Sequence, residues 1–483
     1  MMNILFVAAE AAPFAKVGGL GDVVGALPWA LKTAHPEWDI RLVLPLHPTV
    51  DVGRWGAQPL TAFTIAHRNG PITAEIYHTE HRGLEVYFVT GGPVLAVPGV
   101  YSPDPRADAV KYAFFSLATL ALARYLNWQP DILHAHDWHT ALAVHALVAR
   151  RPYDAFFAAT RTVLTVHNLP YMGAASPWLL EAFGLPPAPL ESGLPPWAQT
   201  MPLPLGLAAA DAITTVSPTY AREMLTPAFG RGLEDFLKTR RERLWGILNG
   251  LDTDLWNPST DPALDVRYTA STLALRERNA EALRQEVGLP QPEGRMPLVG
   301  LVSRLTEQKG VDVVAEALRL LADSPWQAVL LGTGEPQWED ALRQLEVGFP
   351  DRVRAVLRYD DGLARRIYAS ADVLMVPSRY EPCGLAQMIA MRYGAVPVAT
   401  ETGGLADTVR DVDLSRRSTG FLLPEATPKA LAFALRRAFA RWADRRRWQA
   451  LQRRGMAEDF SWDKPAQAYA RLYARLLAPA PDP

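Results

Sequence analysis

Short apolar runs alternate with longer helical patterns along the whole of this 483-residue chain. Several of the runs are apolar throughout, which is typical of strands covered on both faces of a sheet. Because strands that alternate with helices form parallel sheets with right-handed crossovers, we predict an α/β fold. The runs are too numerous for one typical open sheet, so two consecutive sheets are expected. The predicted strands are Asn3–Ala8, Ile40–Leu44, Glu85–Thr90, Asp131–Ala135, Thr162–Val166, Ala212–Val216, Pro297–Ser303, Gln327–Leu331, Val353–Tyr359, Asp372–Pro377 and Ala395–Ala399.

The boundary between the two sheets is predicted near Trp245–Trp256, where the sequence ILNGLDTDLWNP is rich in turn-forming residues. A first domain is therefore expected over residues 1–246 and a second over residues 247–460. Ligands of open α/β sheets bind in a crevice at the carboxyl ends of the strands. Two such domains that face each other would form a deep cleft, which is where we expect the active site.

Composition argues against several classes of protein. The 49 basic and 51 acidic residues nearly cancel, which does not suit nucleic-acid binding through bulk charge. The one cysteine, Cys383, excludes a disulfide within the chain and a cysteine-built zinc site. No basic region precedes the N-terminal apolar stretch, and the longest apolar stretch, Phe114–Leu126, is too short for a bilayer. We therefore expect a soluble cytoplasmic protein without a membrane or nucleic-acid partner.

Two segments differ from the alternating pattern. Leu185–Gly206 is rich in proline and is predicted to be a loop or lid rather than a buried element. Arg436–Arg454 is rich in arginine on a helical pattern. A solvated amphipathic helix is favoured there over a contact with a partner or a polysaccharide.

The first candidate site is the motif KVGGLGD at Lys16–Asp22, which follows the first predicted strand. Glycine lets a backbone approach an anion closely, and the N-terminus of a following helix attracts negative charge. Val24 stands where the dinucleotide fingerprint needs its third glycine, and Lys16 precedes the glycines, unlike the lysine of a Walker loop. A phosphate or sugar contact is favoured over a plain turn, and Pro28 is expected to kink or interrupt the helix.

The second and third candidates are HAHDWHT (His134–Thr140) and TVHN (Thr165–Asn168), each at the end of a predicted strand. Asp137 is interpreted as an acceptor for a sugar hydroxyl, with a cap of the helix that begins at Trp138 as the alternative. The histidines could suggest a metal, but no carboxylate-rich cluster completes such a site. His167 stays open between a functional and a structural role.

The fourth candidate is SRLTEQKG at Ser303–Gly310. Arg304 and Lys309 lie where a predicted strand gives way to a helix. Arginine supplies a fork of donors and lysine a compact point charge, so the two together suit a diphosphate. The alternative is an isolated pair of surface cations.

The fifth candidate joins PSRYEPCGLAQ (Pro377–Gln387) to ETGGLADTV (Glu401–Val409). Glu381 lies in a tight loop, and Thr402-Gly403-Gly404 would present backbone N–H groups to a phosphate at a helix start. Cys383 is interpreted as a small packed residue rather than an attacking thiol, because no histidine lies near it in sequence.

Two Asp-x-Asp strings, Asp252-Thr253-Asp254 and Asp411-Val412-Asp413, could hold a divalent metal on a nucleotide sugar. Both are also common turn and cap sequences, and this structural interpretation is favoured. No metal site is predicted.

In this order and spacing, the motifs resemble those of bacterial glycogen synthases and plant starch synthases, which are retaining glycosyltransferases with the B-type fold. The resemblance covers nearly the whole chain, from MNILFVAAEAAPFAKVGGLGDVVGALP through ITTVSPTYAREM and LNGLDTDLWNP to FSWDKPAQAYARLY. It implies two facing Rossmann-like domains with the active site in the cleft between them. It also implies that a C-terminal crossover helix, within residues 461–483, returns to the first domain.

The resemblance further implies transfer of glucose from ADP-glucose to the non-reducing 4-hydroxyl of an α-1,4-glucan such as glycogen, with retention of configuration and without a cofactor. Catalytic roles at the donor diphosphate, the transferred glucose or the acceptor are implied for Lys16, Asp137, His167, Arg304, Lys309 and Glu381. Substrate contacts are implied for Gly18, Gly19, Gly21, Asp22, Asn168, Asn249, Tyr359, Cys383, Gly384, Leu385, Thr402, Gly403 and Gly404.

Two alternatives stay open beside this hypothesis. One keeps the fold but uses UDP-glucose or another acceptor, and the other is a non-catalytic protein that binds glucan or nucleotide. Retention could proceed through a covalent glucosyl-Glu381 or through attack on the face that the phosphate leaves, and the second is favoured. The oligomeric state is not predicted.

Overall fold

The computed structural model describes residues 1–174 and 176–478. The chain divides into two compact units, one of residues 1–250 with the segment that begins at Trp462, the other of residues 251–461. Each unit is built on one sheet with helices, so the predicted α/β class with two sheets is confirmed. Residues 479–483 of the expected crossover segment lie outside the described residues.

The first unit is built on a nine-stranded sheet. Its strands are β1 (Asn3–Val7), β2 (Asp39–Pro45), β3 (Gln58–Ile65), β4 (Ile72–His81), β5 (Leu84–Thr90), β6 (Ile132–His136), β7 (Arg161–Val166), β8 (Ala212–Thr215) and β9 (Leu244–Gly246). Their order across the sheet is β3-β4-β5-β2-β1-β6-β7-β8-β9. In this order across the sheet, every neighbouring pair from β5 to β9 is parallel. The neighbours β1, β6 and β7 therefore end at the same edge of the sheet.

The prediction of wholly parallel sheets is wrong at one side of this sheet. β3 and β4 form an antiparallel pair, and β4 is antiparallel to β5. The outermost strand, β3, alternates between more and less exposed positions, because an antiparallel strand can leave one face to water. Such a strand lacks the continuous apolar run by which the other strands were predicted.

The helices of the first unit that precede the second unit are mostly short. They are α1 (Gly19–Val24), α2 (Leu27–Ala34), α3 (Gly92–Leu95), α4 (Pro105–Tyr125), α5 (Asp137–Arg150), α6 (Pro177–Phe183), α7 (Pro202–Ala209), α8 (Pro218–Glu223) and α9 (Glu234–Thr239). The interruption expected at Pro28 is confirmed, since α1 ends at Val24 and Pro28 lies in the first turn of α2. Proline is tolerated there because the first N–H groups of a helix have no partner within it.

The prediction that Leu185–Gly206 holds no buried element is wrong in its last part. Helix α7 begins at Pro202, and its residues from Pro202 to Leu207 are buried. Prolines fit because they occupy the first turn, where no intrahelical N–H bond is lost. Helix α7 packs on α5, and a Cβ on Gly206 would lie only 2.7 Å from the Cβ of Ala141.

The second unit is built on a six-stranded, wholly parallel sheet. Its strands are β10 (Leu298–Val302), β11 (Gln327–Leu331), β12 (Val353–Val356), β13 (Val373–Val376), β14 (Val396–Thr400) and β15 (Phe421–Leu423). Their order is β12-β11-β10-β13-β14-β15, so β10, β13 and β14 are neighbours. Its helices are α10 (Arg276–Val287), α11 (Val311–Arg319), α12 (Pro336–Gly348), α13 (Asp361–Ser370), α14 (Ala386–Arg392), α15 (Gly403–Thr408), α16 (Pro428–Ala443) and α17 (Arg445–Met456).

The arginine-rich segment forms two helices rather than one. Asp444 separates α16 from α17, and its side chain accepts a hydrogen bond from the backbone N–H of Arg447. In α17, Trp448 and Leu451 are buried while the arginines of the first turn are exposed. The amphipathic character is therefore as predicted, with a capping aspartate at the break.

The last helix, α18 (Asp463–Leu477), belongs to the first unit. It packs on α2, and the hydroxyl of Tyr473 lies 2.7 Å from Nδ1 of His134 on β6. Tyr469 and Tyr473 are fully buried, so the helix contributes to the core of that unit.

None of the helices within residues 1–174 and 176–478 combines the length and the apolar character that a bilayer crossing requires.

Candidate active site

The residues predicted to be functional in the first unit follow neighbouring strands. The glycine motif follows β1, Asp137 directly follows β6, and His167 directly follows β7. Because parallel neighbours end at the same edge of a sheet, these residues lie at one edge, where open α/β sheets bind ligands. Asn249 follows β9, two strands beyond β7.

The glycine motif forms a loop around a buried carboxylate, that of Glu10. Oε2 of Glu10 accepts hydrogen bonds from the backbone N–H groups of Val17 and of Gly18, the latter at 3.2 Å. Lys16 pairs with Asp22 at 2.8 Å, and its side chain is 41% exposed. The loop thus presents a lysine beside the start of α1, an arrangement suited to an anion.

A hydrogen bond joins Asp137 to the backbone of His167. The His167 N–H donates to Oδ1 of Asp137 at 2.7 Å. Asp137 is the first residue of α5 and has a left-handed conformation (φ +55°), and the side chain of the preceding residue, His136, makes no capping bond to that helix. Burial raises the pKa of Asp137 to about 7, although backbone N–H donors oppose the shift. The carboxyl group can therefore bond a sugar hydroxyl as donor or as acceptor near neutral pH.

Buried histidines surround this aspartate. Nδ1 of His136 lies 3.0 Å from Nε2 of His167, and Nε2 of His134 lies 2.6 Å from the hydroxyl of Thr165. Burial lowers the pKa of His134 and of His167 to about 3. Both rings are therefore neutral at pH 7, and each can donate one hydrogen bond and accept another.

Two asparagines present amide oxygens that lack a partner. Oδ1 of Asn168 and Oδ1 of Asn249 are buried and accept no hydrogen bond within the described part of the chain. Most buried acceptors in proteins are paired. These two oxygens therefore suit donor groups of a ligand, such as sugar hydroxyls.

In the second unit, the predicted residues follow the neighbouring strands β10, β13 and β14. The ammonium group of Lys309 forms an ion pair with Oε2 of Glu381, and the hydroxyl of Ser378 donates to the same oxygen at 2.8 Å. The side chains of Lys309 and Glu381 are 19% and 8% exposed. A diphosphate contact of Lys309 stays a prediction, and the lysine would have to share its charge with Glu381.

Arg304 and Tyr359 are exposed at the same edge. The Arg304 guanidinium makes no ion pair with another residue among those the structure describes. The predicted strand Val353–Tyr359 ends earlier, at Val356, so Tyr359 lies in the following loop and its side chain is 81% exposed. An exposed cation and an exposed aromatic ring are groups that can bind a phosphate and a base.

The loop that carries Glu381 packs tightly on the glycine turn of α15. The Gly404 N–H donates to the Glu381 carbonyl at 3.1 Å. A Cβ on Gly403 would lie 2.0 Å from that carbonyl oxygen, and one on Gly404 would lie 2.1 Å from the carbonyl oxygen of Cys383. The Gly404 N–H therefore bonds the protein itself, and a phosphate contact of this turn stays a prediction. Thr402 is buried directly before this turn.

Cys383 is buried, as expected of a packed residue. The Gln387 side chain donates to the carbonyls of Cys383 and Gly384 at 3.1 and 2.9 Å. Gly384 has φ +73°, a conformation that favours glycine, and Leu385 leads into α14. These contacts hold the segment after Glu381 in one conformation.

Both Asp-x-Asp strings make structural contacts. Oδ1 of Asp252 accepts the N–H groups of Asp254 and Leu255 at 3.1 and 2.9 Å, and Asp411 pairs with Arg437 at 2.6 Å. In residues 1–174 and 176–478, no three His, Cys, Asp or Glu side chains are grouped so that they could hold a metal ion.

Sequence reasoning missed Glu10 and Ser378. Tyr101 donates its hydroxyl to Oε1 of Glu10 at 2.9 Å. Glu10 stands between alanines, and its partners are 7, 8 and 91 positions away, so no local pattern marks it. Ser378 stands three residues before Glu381 inside a recognised motif, and that spacing was the available signal.

Each unit has a sheet of mostly parallel strands, with polar and charged residues after neighbouring central strands. This architecture defines the class: the protein is a glycosyltransferase with the B-type fold. A sucrose-phosphate synthase from Thermosynechococcus elongatus shares the fold, with a TM-score of 0.62 and 20% identity over 99% of both chains.

Closer comparisons identify the family. Residues 3–239 match the starch synthase catalytic domain, and residues 296–441 match the glycosyl transferases group 1. The chain is 45% identical to the glycogen synthase of Anaeromyxobacter dehalogenans strain 2CP-C, over 99% of this chain and 100% of that protein. It is 40% identical to the Geotalea daltonii glycogen synthase over 99% of each chain. The catalytic domain of starch synthase IV from Arabidopsis thaliana, solved with ADP and acarbose, matches with a TM-score of 0.89 and 35% identity over 99% of each chain. The chain therefore belongs to the glycogen and starch synthase family.

Proposed function

We propose that this protein transfers glucose from ADP-glucose to the non-reducing 4-hydroxyl of an α-1,4-glucan with retention of configuration. The observation that carries the proposal is the group after β10 and β13, where Lys309 adjoins the buried Glu381, and where Arg304 is exposed and makes no ion pair with any residue of the described ranges. Membership of the family supports the glucan acceptor, and the ADP in the starch synthase IV relative supports the adenine nucleotide.

The donor would bind the second unit. Cleavage of the bond between glucose and the diphosphate develops negative charge on the leaving group, which Arg304 and Lys309 would stabilise. The exposed ring of Tyr359 would stack on the adenine. Two segments would border the diphosphate and the glucose. One is the glycine turn before α15, with Thr402, Gly403 and Gly404. The other follows Glu381, with Cys383, Gly384 and Leu385.

The first unit would supply the contacts to sugar hydroxyls. The carboxyl group of Asp137, the neutral ring of His167 and the unpartnered amide oxygens of Asn168 and Asn249 are suited to hydroxyl groups. In the first unit, Lys16, Gly18, Gly19, Gly21 and Asp22 carry a cation and a close-packed backbone that are suited to a phosphate group of the donor.

For retention, we favour attack by the acceptor on the face that the phosphate leaves. A covalent glucosyl enzyme would need a carboxylate oxygen of Glu381 as the nucleophile. Its Oε2 already bonds both Lys309 and Ser378, which reduces its nucleophilicity. Glu381 would instead stand beside the glucose ring and stabilise the positive charge that develops there.

The test is incorporation of labelled glucose from ADP-glucose into glycogen, with UDP-glucose as a parallel donor and with EDTA present and absent. We expect transfer from ADP-glucose, less transfer from UDP-glucose, and no effect of EDTA. Arg304→Ala and Glu381→Ala should each lower turnover by about 10²–10³-fold or more, since charge-stabilising groups commonly contribute this much. Equal activity of the parent and both variants would support a non-catalytic role of these residues and overturn the proposal.

A further inference from the structure

We propose that Glu10 is a positioning residue, which holds the glycine-rich loop Lys16–Asp22 in the geometry that glucosyl transfer requires. The inference rests on the proposed function of that loop. It assigns a role to a carboxylate that touches no substrate group in the mechanism above and that makes no ion pair with a lysine or arginine among the described residues.

The hydrogen bonds of Glu10 all reach loops rather than its own strand. Its side chain lies three residues after β1 and the residue is 1% exposed. Oε2 accepts the backbone N–H groups of Val17 and Gly18, and Oε1 accepts the Tyr101 hydroxyl. A carboxylate that accepts several hydrogen bonds from neighbouring loops fixes those loops relative to one another.

The glycines of the loop are spaced to admit this carboxylate. A Cβ on Gly21 would lie 3.0 Å from Oε2 of Glu10 and 3.2 Å from Cγ of Lys16. A Cβ on Gly18 would lie 3.7 Å from Oε1. The loop therefore wraps closely around Glu10, and the path of Lys16 depends on the position of the carboxylate.

The segment before Tyr101 is held by hydrogen bonds on the other side of Glu10. The buried ammonium group of Lys111 donates to the carbonyls of Gly99 and Val100 at 2.8 and 2.9 Å, and Tyr112 donates to the Val100 carbonyl at 2.5 Å. These bonds anchor the segment before Tyr101 to α4. Glu10 thus ties the glycine loop to a segment that is anchored on α4.

Glu10 also adjoins the Asp137 site. The Tyr101 ring packs 5.1 Å from the ring of His139, two residues after Asp137. The charge of Glu10 contributes to the raised pKa of Asp137. Glu10 therefore contacts the glycine loop directly and reaches the neighbourhood of Asp137 through Tyr101.

The test compares two substitutions at one position. In Glu10→Gln the amide oxygen can still accept the Val17 and Gly18 N–H groups, and the Tyr101 hydroxyl can rotate to accept from the amide. In Glu10→Ala both backbone donors lose their partner. We expect Glu10→Ala to lower kcat/KM for ADP-glucose by about 10²-fold, the scale of a misplaced reacting group, and Glu10→Gln to stay close to the parent.

Hydrogen exchange of the peptide that contains Val17 and Gly18 gives a readout independent of activity. Exchange should rise in Glu10→Ala, and stay near the parent in Glu10→Gln. Asp154→Ala is the control at a distant loop, because Asp154 accepts a loop N–H from Phe156 at 3.1 Å, pairs with Arg124, and lies before β7 rather than after it. It should change neither the exchange of that peptide nor kcat/KM.

Two results would overturn the inference. One is unchanged exchange of the Val17 and Gly18 amides in Glu10→Ala; the other is a Glu10→Gln variant as inactive as Glu10→Ala, which would assign the effect to charge. If the parent transferred no glucose from ADP-glucose, the proposed function would fail, while the exchange experiment would still test the loop anchor.

Discussion

Lys309 and Glu381 form an ion pair at the carboxyl ends of β10 and β13, although 72 positions separate them in sequence. Both side chains are largely shielded from solvent, and the hydroxyl of Ser378 donates to the same carboxylate oxygen. A diphosphate that binds Lys309 must therefore compete with the Glu381 carboxylate for the Lys309 ammonium group.

Replacing Glu381 with Gln should separate binding from turnover. The amide keeps the shape but removes the charge that competes for Lys309, so ADP should bind at least as tightly as to the parent, whereas Lys309→Met should weaken ADP binding. Transfer should fall by about 10²–10³-fold or more in both variants. Calorimetric titration with ADP and the glucose-transfer assay measure the two effects.

Ser378→Ala is the control for this comparison, since it removes one hydrogen bond and keeps the ion pair. Its ADP affinity should match that of the parent. If Glu381→Gln bound ADP as weakly as Lys309→Met, competition between the carboxylate and the diphosphate would be refuted.

Asp137 should make the stability of the protein depend on pH. Burial raises its pKa to about 7, against about 3.9 in an unfolded chain. Between these values the native state binds more protons, so the contribution of Asp137 to the free energy of unfolding falls as pH rises from about 4 to about 7. In Asp137→Asn this contribution is absent. The stability of the variant relative to the parent should therefore improve with rising pH, by up to about 1.4 kcal/mol per pH unit, in urea unfolding at pH 5–8.

The buried histidines should act in the opposite direction. Burial lowers the pKa of His134, His139 and His167 to about 3, against about 6.5 in an unfolded chain. Their contribution to stability is present above pH 6.5 and is lost as the pH falls toward 3, so the protein should become labile in mild acid. His139→Gln should reduce the pH dependence of the unfolding midpoint. An unchanged dependence in His139→Gln would mean that this ring does not stay neutral.

Much of the fold was predictable because buried parallel strands are continuous apolar runs. Strand β11 has the predicted bounds, Gln327–Leu331, and the other predicted strands are displaced by a few residues at their ends. The β3–β4 pair escaped prediction because its exposed face breaks the apolar run. The helix that begins at Pro202 was not predicted, because proline in a sequence usually indicates a loop. Here proline occupies the first turn of the helix.

Only those site residues that follow a predicted strand could be located from the sequence. Asp137, His167 and Glu381 each follow an apolar run, so their position at the sheet edge could be inferred. The bonds of Glu10 to Gly18 and Tyr101 could not be inferred, because tertiary structure alone brings the three residues together. For the same physical reason, no spacing in the sequence indicates that Lys309 pairs with Glu381.

Gly403→Ala should disrupt the site without removing any functional side chain. Gly403 has φ +43°, and a Cβ there would lie 2.0 Å from the carbonyl oxygen of Glu381. The left-handed conformation costs a non-glycine residue about 1–2 kcal/mol, and the clash must also displace α15 or the Glu381 loop. Displacement would break the bond from the Gly404 N–H to the Glu381 carbonyl. Because that bond positions Glu381 beside Lys309, transfer should fall by about 10²-fold and the thermal midpoint should drop.

The control is Gly348→Ala in the same unit. Gly348 is the last residue of α12, and no atom lies within 4 Å of a Cβ built there. Alanine favours the helix by up to about 1 kcal/mol over glycine, so this variant should be as stable as the parent or more stable, and as active. Thermal unfolding, ADP titration and the transfer assay on both variants complete the comparison. A Gly403→Ala protein with the activity and ADP affinity of the parent would show that the contact between the glycine turn and the Glu381 loop does not control the geometry of Glu381.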